Sequence, residues 1–273
     1  MARTVLITGA AGNIGGKLRR YLEGRGYPLR LLDYGPQSDP AIQSADLAEW
    51  DEGWVDSFAG VDTVLHLAGE PSPSADWPRL ARLNLDLLLN VMEASVQHRC
   101  RRFVFASSNW VLAGYRSAEG ALSPDTPPSP VTPYGATKLF GERVGKSFAD
   151  RRGLSVVCFR IGYCQRLHDN QPGPHMGMGM WGQQMWLSDG DVCRGFEAAV
   201  EAPDELRFAV LNLMSDNAGM RWDMEPTRKA IGFLAQDHST PDTGEAAVTR
   251  EAFVRQSRTF IEGVEKTLLS QHL

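Results

Sequence analysis

Residues 3–24 read RTVLITGAAGNIGGKLRRYLEG. The β-branched and apolar run at 3–8 has the texture of a buried strand, the glycines at 9, 12, 15 and 16 that of a tight turn, and the residues from Lys17 onward that of a helix. A glycine turn between a first strand and a first helix lets the backbone come close to a bound group. The helix N-terminus adds unsatisfied N–H groups and a partial positive charge, a combination suited to a pyrophosphate. Gly9, Gly12 and Gly15, with Asn13 and Ile14 between them, are the candidate contacts.

The same alternation continues down the chain. Pro28–Leu32 reads as a second strand ending at Asp33, Val61–Leu67 as a third that stops at Ala68-Gly69, and Arg102–Ala106 as another buried strand. Between the last two, residues 79–97 carry Leu80, Leu83, Leu87 and Val91 at helical spacing. SPDTPPSPVTP at 123–133 has five prolines in eleven positions and must be a surface loop. Tyr134 then opens another helix, and Leu154–Phe159 is a further strand closing the layer near Arg160. Strands and helices taking turns in this way predict an α/β fold, a doubly wound parallel sheet covered on both faces. From about residue 161 the texture shifts to a Gly/Pro/Met-rich segment, shorter helices and one clear strand, Phe208–Leu213. The expected division is residues 1–160 as a nucleotide-binding domain and 161–273 as a smaller substrate lobe, interleaved with the first and not folding alone.

Composition limits the function classes. The 273 residues are 42% hydrophobic and 22% charged, with 28 basic and 33 acidic side chains giving a net charge of -5. Scattered basic residues argue against a nucleic-acid face. The short apolar opening is far from a membrane span of about 20 residues, so no membrane association and a cytoplasmic location are expected. Cys100, Cys158, Cys164 and Cys193 have no CxxC spacing and no paired histidines, so no metal site is expected.

Two constellations point to chemistry. Asp33, at a strand end 18 residues after Gly15, can accept hydrogen bonds from a ribose 2'-OH and repel a 2'-phosphate, favouring NAD over NADP. Asp46 and Leu47 are placed to flank the adenine. Tyr134 and Lys138 are spaced i, i+4 at a helix start, which stacks them on one face; the ammonium is expected to draw the phenol pKa down from about 10 and make Tyr134 a proton acceptor. Ser108 follows the strand RFVFAS, at the carboxyl end of a parallel strand where reacting groups gather.

Gly9-x-x-Gly12-x-x-Gly15, Asp33, His66-Leu-Ala-Gly69, Asn84, Phe105-Ala-Ser-Ser108 and Tyr134-x-x-x-Lys138 together resemble the extended short-chain dehydrogenase/reductases, the NAD-dependent epimerase/dehydratase family. The resemblance covers nearly the first 165 residues. It implies a Rossmann-type domain with bound NAD, Ser108 polarising the reacting oxygen, Tyr134 exchanging its proton, and Lys138 holding the ribose hydroxyls and lowering the tyrosine pKa. It further implies that Leu67, Ala68 and Gly69 line the cofactor channel, that Asn84 supports it, and that a homodimer forms as a four-helix bundle from residues 79–97 and 134–150.

Within that family, SSN at 107–109, YGATKLFGE at 134–142, RIGYC at 160–164 and Trp-Leu-Ser-Asp at 186–189 look most like uronate dehydrogenases, which oxidise the C1 hydroxyl of a free hexuronate to a lactone. The chain departs from that branch in the loop 173–186, GPHMGMGMWGQQMW, which lacks the arginine that grips a carboxylate there, and in Tyr163 and Trp110, which replace a serine and a histidine. Ser72, Ser108, Asn109, Trp110, Tyr163 and His175 are the candidate substrate contacts. Gln183 and Gln184 are further hydrogen-bonding candidates, Trp181 and Trp186 candidates for stacking on a sugar, and Arg221 a candidate replacement for the missing grip. The expected activity is NAD-dependent oxidation of a free sugar or sugar acid. Two alternatives stay open: an epimerase or dehydratase that retains its NAD, and a non-catalytic dinucleotide-sensing protein.

Overall fold

The computed structural model describes residues 3–242; the end of the expected second lobe, from residue 243, lies outside them. Seven parallel strands form one sheet in the order β3-β2-β1-β4-β5-β6-β7. They are β1 (Val5–Thr8), β2 (Leu29–Asp33), β3 (Ile42–Ser44), β4 (Thr63–His66), β5 (Arg102–Ser108), β6 (Ser155–Ile161) and β7 (Phe208–Leu213). The helices are α1 (Asn13–Gly24), α2 (Glu52–Val55), α3 (Trp77–Leu80), α4 (Leu87–Gln97), α5 (Pro133–Arg152), α6 (Gly179–Gln184), α7 (Asp189–Glu201) and α8 (Glu225–Ile231). Strand order reverses at β1, with β2 on one side and β4 on the other, and in such sheets ligands bind at this switch, beyond the carboxyl ends of the strands.

The fold is a Rossmann-type doubly wound sheet. Val5 through Ile7 are fully buried because each face of β1 is covered: Val5 and Ile7 pack with Leu18, Leu22 and Phe196 of α1 and α7, while Leu6 packs with Val91, Phe103 and Phe148 on the side of α4 and α5. β3 has no expectation in the sequence. It is three residues long, with Gln43 and Ser44 exposed, too short and too polar to carry a strand's periodicity. The stretch 79–97 is one helical run in three parts, α3 passing through a π turn (Ala81–Asp86) into α4. The strand at 208–213 lies in the main sheet: Val156–Ile161 pair with Phe208–Leu213 in parallel, so the later part of the chain completes the sheet. What remains apart is a small core of Leu112, Leu122, Trp181, Met185, Met214 and Trp222, which packs loops from both halves together.

The placement of α5 bears directly on the site. Thr132 caps its start by accepting the Gly135 N–H at 3.0 Å, Pro133 occupies the first turn, and Gly153 ends it in the left-handed conformation at φ 76°. Gly141 lets the helix lie against the sheet, since a Cβ there would come within 2.4 Å of the Phe105 ring. At the opposite end of β5, buried Arg102 donates to the carbonyls of Ala199, Ala202 and Pro203, closing the C-terminus of α7. Among the described residues, no helix is long and apolar enough to cross a membrane.

Candidate active site

A cleft of about 710 Å³ opens along the carboxyl ends of the strands. At one end it meets the glycine turn. No side chain caps α1 and no acidic residue sits in its first turn, so the helix N-terminus faces the cleft with its N–H groups available. The turn closes only because residue 15 lacks a side chain: a Cβ on Gly15 would lie 2.0 Å from the Gly9 carbonyl oxygen. Asp33, at the end of β2, accepts the Ala11 N–H at 2.7 Å through one carboxylate oxygen and the Tyr34 N–H at 2.7 Å through the other. This fixes the carboxylate beside the turn, where a ribose would lie. The cradle and the pinned carboxylate fit a dinucleotide.

Gly9, Gly12, Asn13, Ile14, Gly15, Asp33, Asp46, Leu47, Leu67, Ala68 and Gly69 all line this cleft, and so do Ser108, Asn109, Trp110, Tyr134, Lys138 and Tyr163. Eight of the candidates lie off its wall. Asn84 is buried behind Gly69, accepting the Glu70 N–H at 2.8 Å and donating to the Glu70 carbonyl at 3.2 Å and to Thr137 Oγ1 at 3.1 Å, which ties the β4 loop to α5. Ser72 sits between two prolines that do line the cleft, its hydroxyl 3.0 Å from that of Ser74. His175 lies against His168, the rings tilted by 39° with centroids 4.1 Å apart. Trp181 packs edge-on against Trp222, Trp186 donates its indole N–H to the Asn170 carbonyl, Gln183 holds the backbone of Asp242, and Arg221 is spent on the carbonyls of Gly120 and Tyr115. None of these four borders the cleft, and nor does Gln184.

Tyr134 and Lys138 share one face of α5, with the Lys138 ammonium 5.7 Å from the centre of the Tyr134 ring and donating to the Ala106 carbonyl at 3.0 Å. Their electrostatics correct the expectation of an acidified phenol. Both groups are buried, and burial penalises whichever form is charged. It pushes the Tyr134 phenol up to about 12; the Glu70 charge adds to the rise and a hydrogen bond with Ser108 opposes it. Burial also draws Lys138 down to about 8. In the protein alone, desolvation therefore sets the direction of the shift at both groups. His66, at the end of β4, is drawn down to about 3 by burial and then by the Lys138 charge, and its Nδ1 lies 2.9 Å from Thr8 Oγ1.

Four charged residues on the cleft wall went unnoticed in the sequence: Glu70, Arg79, Arg82 and Arg166. Arg82 pairs with Asp46 at 2.6 Å and Arg79 pairs with Glu70. Glu70 could have been found from its place directly after the glycine that ends an apolar strand. Arg166 lies in the loop after RIGYC but ahead of the stretch 173–186 in which an arginine is expected. It is exposed at the cleft and has no partner among the described residues.

A model of the NAD-dependent epimerase/dehydratase family matches residues 5–164. The NAD-dependent glucose-6-phosphate dehydrogenase of Haloferax volcanii is 32% identical over 271 residues, covering 92% of this chain and 100% of that protein. The L-arabinose 1-dehydrogenase (NAD(P)(+)) of the same organism is 33% identical over 254 residues, covering 88% and 98%. Among solved structures, a variant of uronate dehydrogenase from Agrobacterium tumefaciens complexed with NAD is similar with a TM-score of 0.73 at 28% identity, covering 94% of this chain and 89% of that one. A family match across more than half of the chain, joined to a glycine cradle and a Ser-Tyr-Lys cluster in one cleft, makes this protein an enzyme of the NAD-dependent epimerase/dehydratase family, an extended short-chain dehydrogenase/reductase with NAD as its cofactor.

Proposed function

We propose that the protein is an NAD-dependent dehydrogenase that oxidises the anomeric hydroxyl of a free sugar or sugar acid to a lactone. The observation that carries this reading is the meeting of Ser108, Tyr134 and Lys138 on one stretch of cleft wall, in line with the glycine cradle. The three similar proteins named above are a glucose-6-phosphate dehydrogenase, an L-arabinose 1-dehydrogenase and a uronate dehydrogenase, which supports this reading.

Bound NAD would supply the hydride acceptor. Tyr134, whose phenol is raised by burial in the protein alone, is the group that exchanges a proton with the sugar hydroxyl. Ser108 donates to the oxygen as carbonyl character develops on it. Lys138, held by the Ala106 carbonyl, is placed to donate its remaining protons to ribose hydroxyls. Arg166 is the cation available to a carboxylate or phosphate on the sugar. The chain is also proposed to pair with a second copy through α4 and α5, a mass of twice 30.1 kDa by light scattering being the check.

The test is NADH absorbance on adding NAD with a panel of aldoses, aldose phosphates and uronates. Wild-type protein is expected to reduce NAD with at least one of them, and Tyr134→Phe to lower kcat by about 10²–10⁴-fold while still binding NAD. No NADH from the wild type, or unchanged turnover in the variant, overturns the reading. Retained NAD and interconversion of epimers without net NADH would point to the epimerase alternative.

A further inference from the structure

Glu70 has no part in the cofactor cradle or the Ser-Tyr-Lys cluster, yet it is the acidic side chain that borders the reacting end of the cleft. It follows Gly69 at the end of the β4 loop, and its side chain is only 9% exposed. Its backbone is clamped from both sides by Asn84, whose amide also bonds Thr137, the residue before Lys138 on α5. The position of Glu70 is thus tied to the catalytic helix. One carboxylate oxygen accepts the Ser72 N–H at 2.9 Å, and the other pairs with the Arg79 guanidinium. The charged group paired with it is Arg79 from α3, and its own charge acts on the Tyr134 phenol of α5.

A carboxylate in a cleft wall is expensive to desolvate, and a pair with an arginine that is itself 61% exposed recovers little of that cost. An ionised carboxylate offers about four acceptor positions, and only two are filled here. Glu70 lines the same cleft as Tyr134, and its charge reaches the Tyr134 phenol. What the cleft holds best beside it is a group rich in O–H donors and free of negative charge.

We propose that Glu70 accepts hydrogen bonds from the hydroxyl on the carbon next to the reacting one, selecting a neutral vicinal diol at that end of the sugar and turning any carboxylate or phosphate away from Tyr134. This deepens the dehydrogenase reading and rests on it for the placement of the reacting carbon.

The experiment is titration calorimetry of the NADH-loaded protein with D-glucose and with L-arabinose, each beside its 2-deoxy analogue, run together with the NADH assay. The parent sugar is expected to bind the wild type about 10- to 100-fold more tightly than the analogue, as for a hydrogen bond to a charged group. In Glu70→Ala that gap should fall to within about threefold, and Glu70→Asp should keep part of it. Equal binding of parent and analogue by the wild type overturns the proposal without any variant. So does a full gap in a Glu70→Ala protein that retains wild-type NADH affinity and thermal midpoint. A gap present without NADH production would sink the dehydrogenase reading and leave Glu70 as a recognition residue, whereas failure of both sugars to bind would overturn both.

Discussion

The Arg160 guanidinium meets the Glu142 carboxylate in a two-bond ion pair, Nε to Oε1 and Nη2 to Oε2, each at 2.9 Å. The side chains are 3% and 4% exposed, and the Ser107 hydroxyl adds a third bond to Glu142 at 2.7 Å. Glu142 lies one helical turn beyond Lys138, Ser107 immediately before Ser108, and Arg160 on β6. The pair thus joins the helix that carries Tyr134 and Lys138 to the strand ends that carry Ser108. A buried pair of this kind costs much to form, but removing one partner strands a charge. Glu142→Ala is therefore expected to destabilise the fold by about 3–5 kcal/mol in urea unfolding. Joint replacement by Glu142→Leu and Arg160→Met should cost clearly less than the sum of the two single changes to alanine. Additive losses would show that the pair is not coupled.

Acid should weaken the protein through His66. The ring is packed beside Phe103 and Phe105, with centroids 5.3 and 6.1 Å away, and burial holds its pKa near 3 against an ordinary 6.5. The unfolded chain takes up a proton below about 6.5 while the folded one does not, so stability is lost as pH falls from about 6.5 toward 3, by at most about 5 kcal/mol. Thermal midpoints measured between pH 7 and pH 4 should drop more steeply for the wild type than for His66→Gln. Parallel slopes would assign the acid loss to other groups.

The glycine turn can be tested against a control in the same helix. Gly15→Ala drives a Cβ into the Gly9 carbonyl, whereas Gly24, the last residue of α1, has nothing within 4 Å. The first change is expected to cost about 1–3 kcal/mol and to abolish measurable NAD binding. The second should be neutral or stabilising by up to about 1 kcal/mol with NAD affinity unchanged. Intrinsic fluorescence on titration with NADH, followed by thermal melts, reads both.

Cofactor choice should rest on Asp33. Its two oxygens are held by backbone amides beside the turn, so the charge cannot swing away from a 2'-phosphate. Asp33→Ala is expected to narrow the preference for NAD over NADP by about tenfold or more, with NADP gaining in absolute kcat/KM, because repulsion of the phosphate goes and a ribose hydrogen bond is lost. An unchanged ratio would show that Asp33 does not set the cofactor choice.

Much of this protein follows from local pattern. The strand, glycine turn and helix at the start, the buried strands at 61–67, 102–106 and 154–159, and the long helix after the proline loop are all set by side-chain period and by backbone limits that glycine and proline impose on their own neighbours. That the glycine turn, Asp33, Ser108, Tyr134 and Lys138 line one cleft was readable for the same reason, since each sits at a strand end or helix start that the pattern marks. Tertiary structure decided the rest. Only packing shows that β7 joins the sheet beside β6, that Asn84 stands behind the cleft wall, and that Trp181 and Arg221 are consumed in a core of their own. The protonation of Tyr134 belongs here too: spacing brings an ammonium near the phenol, but the depth at which both are buried sets the sign of the shift. Charge pairing across the cleft, Glu70 with Arg79 and Arg82 with Asp46, joins loops to helices through the fold, and a linear pattern holds no trace of contacts made between segments.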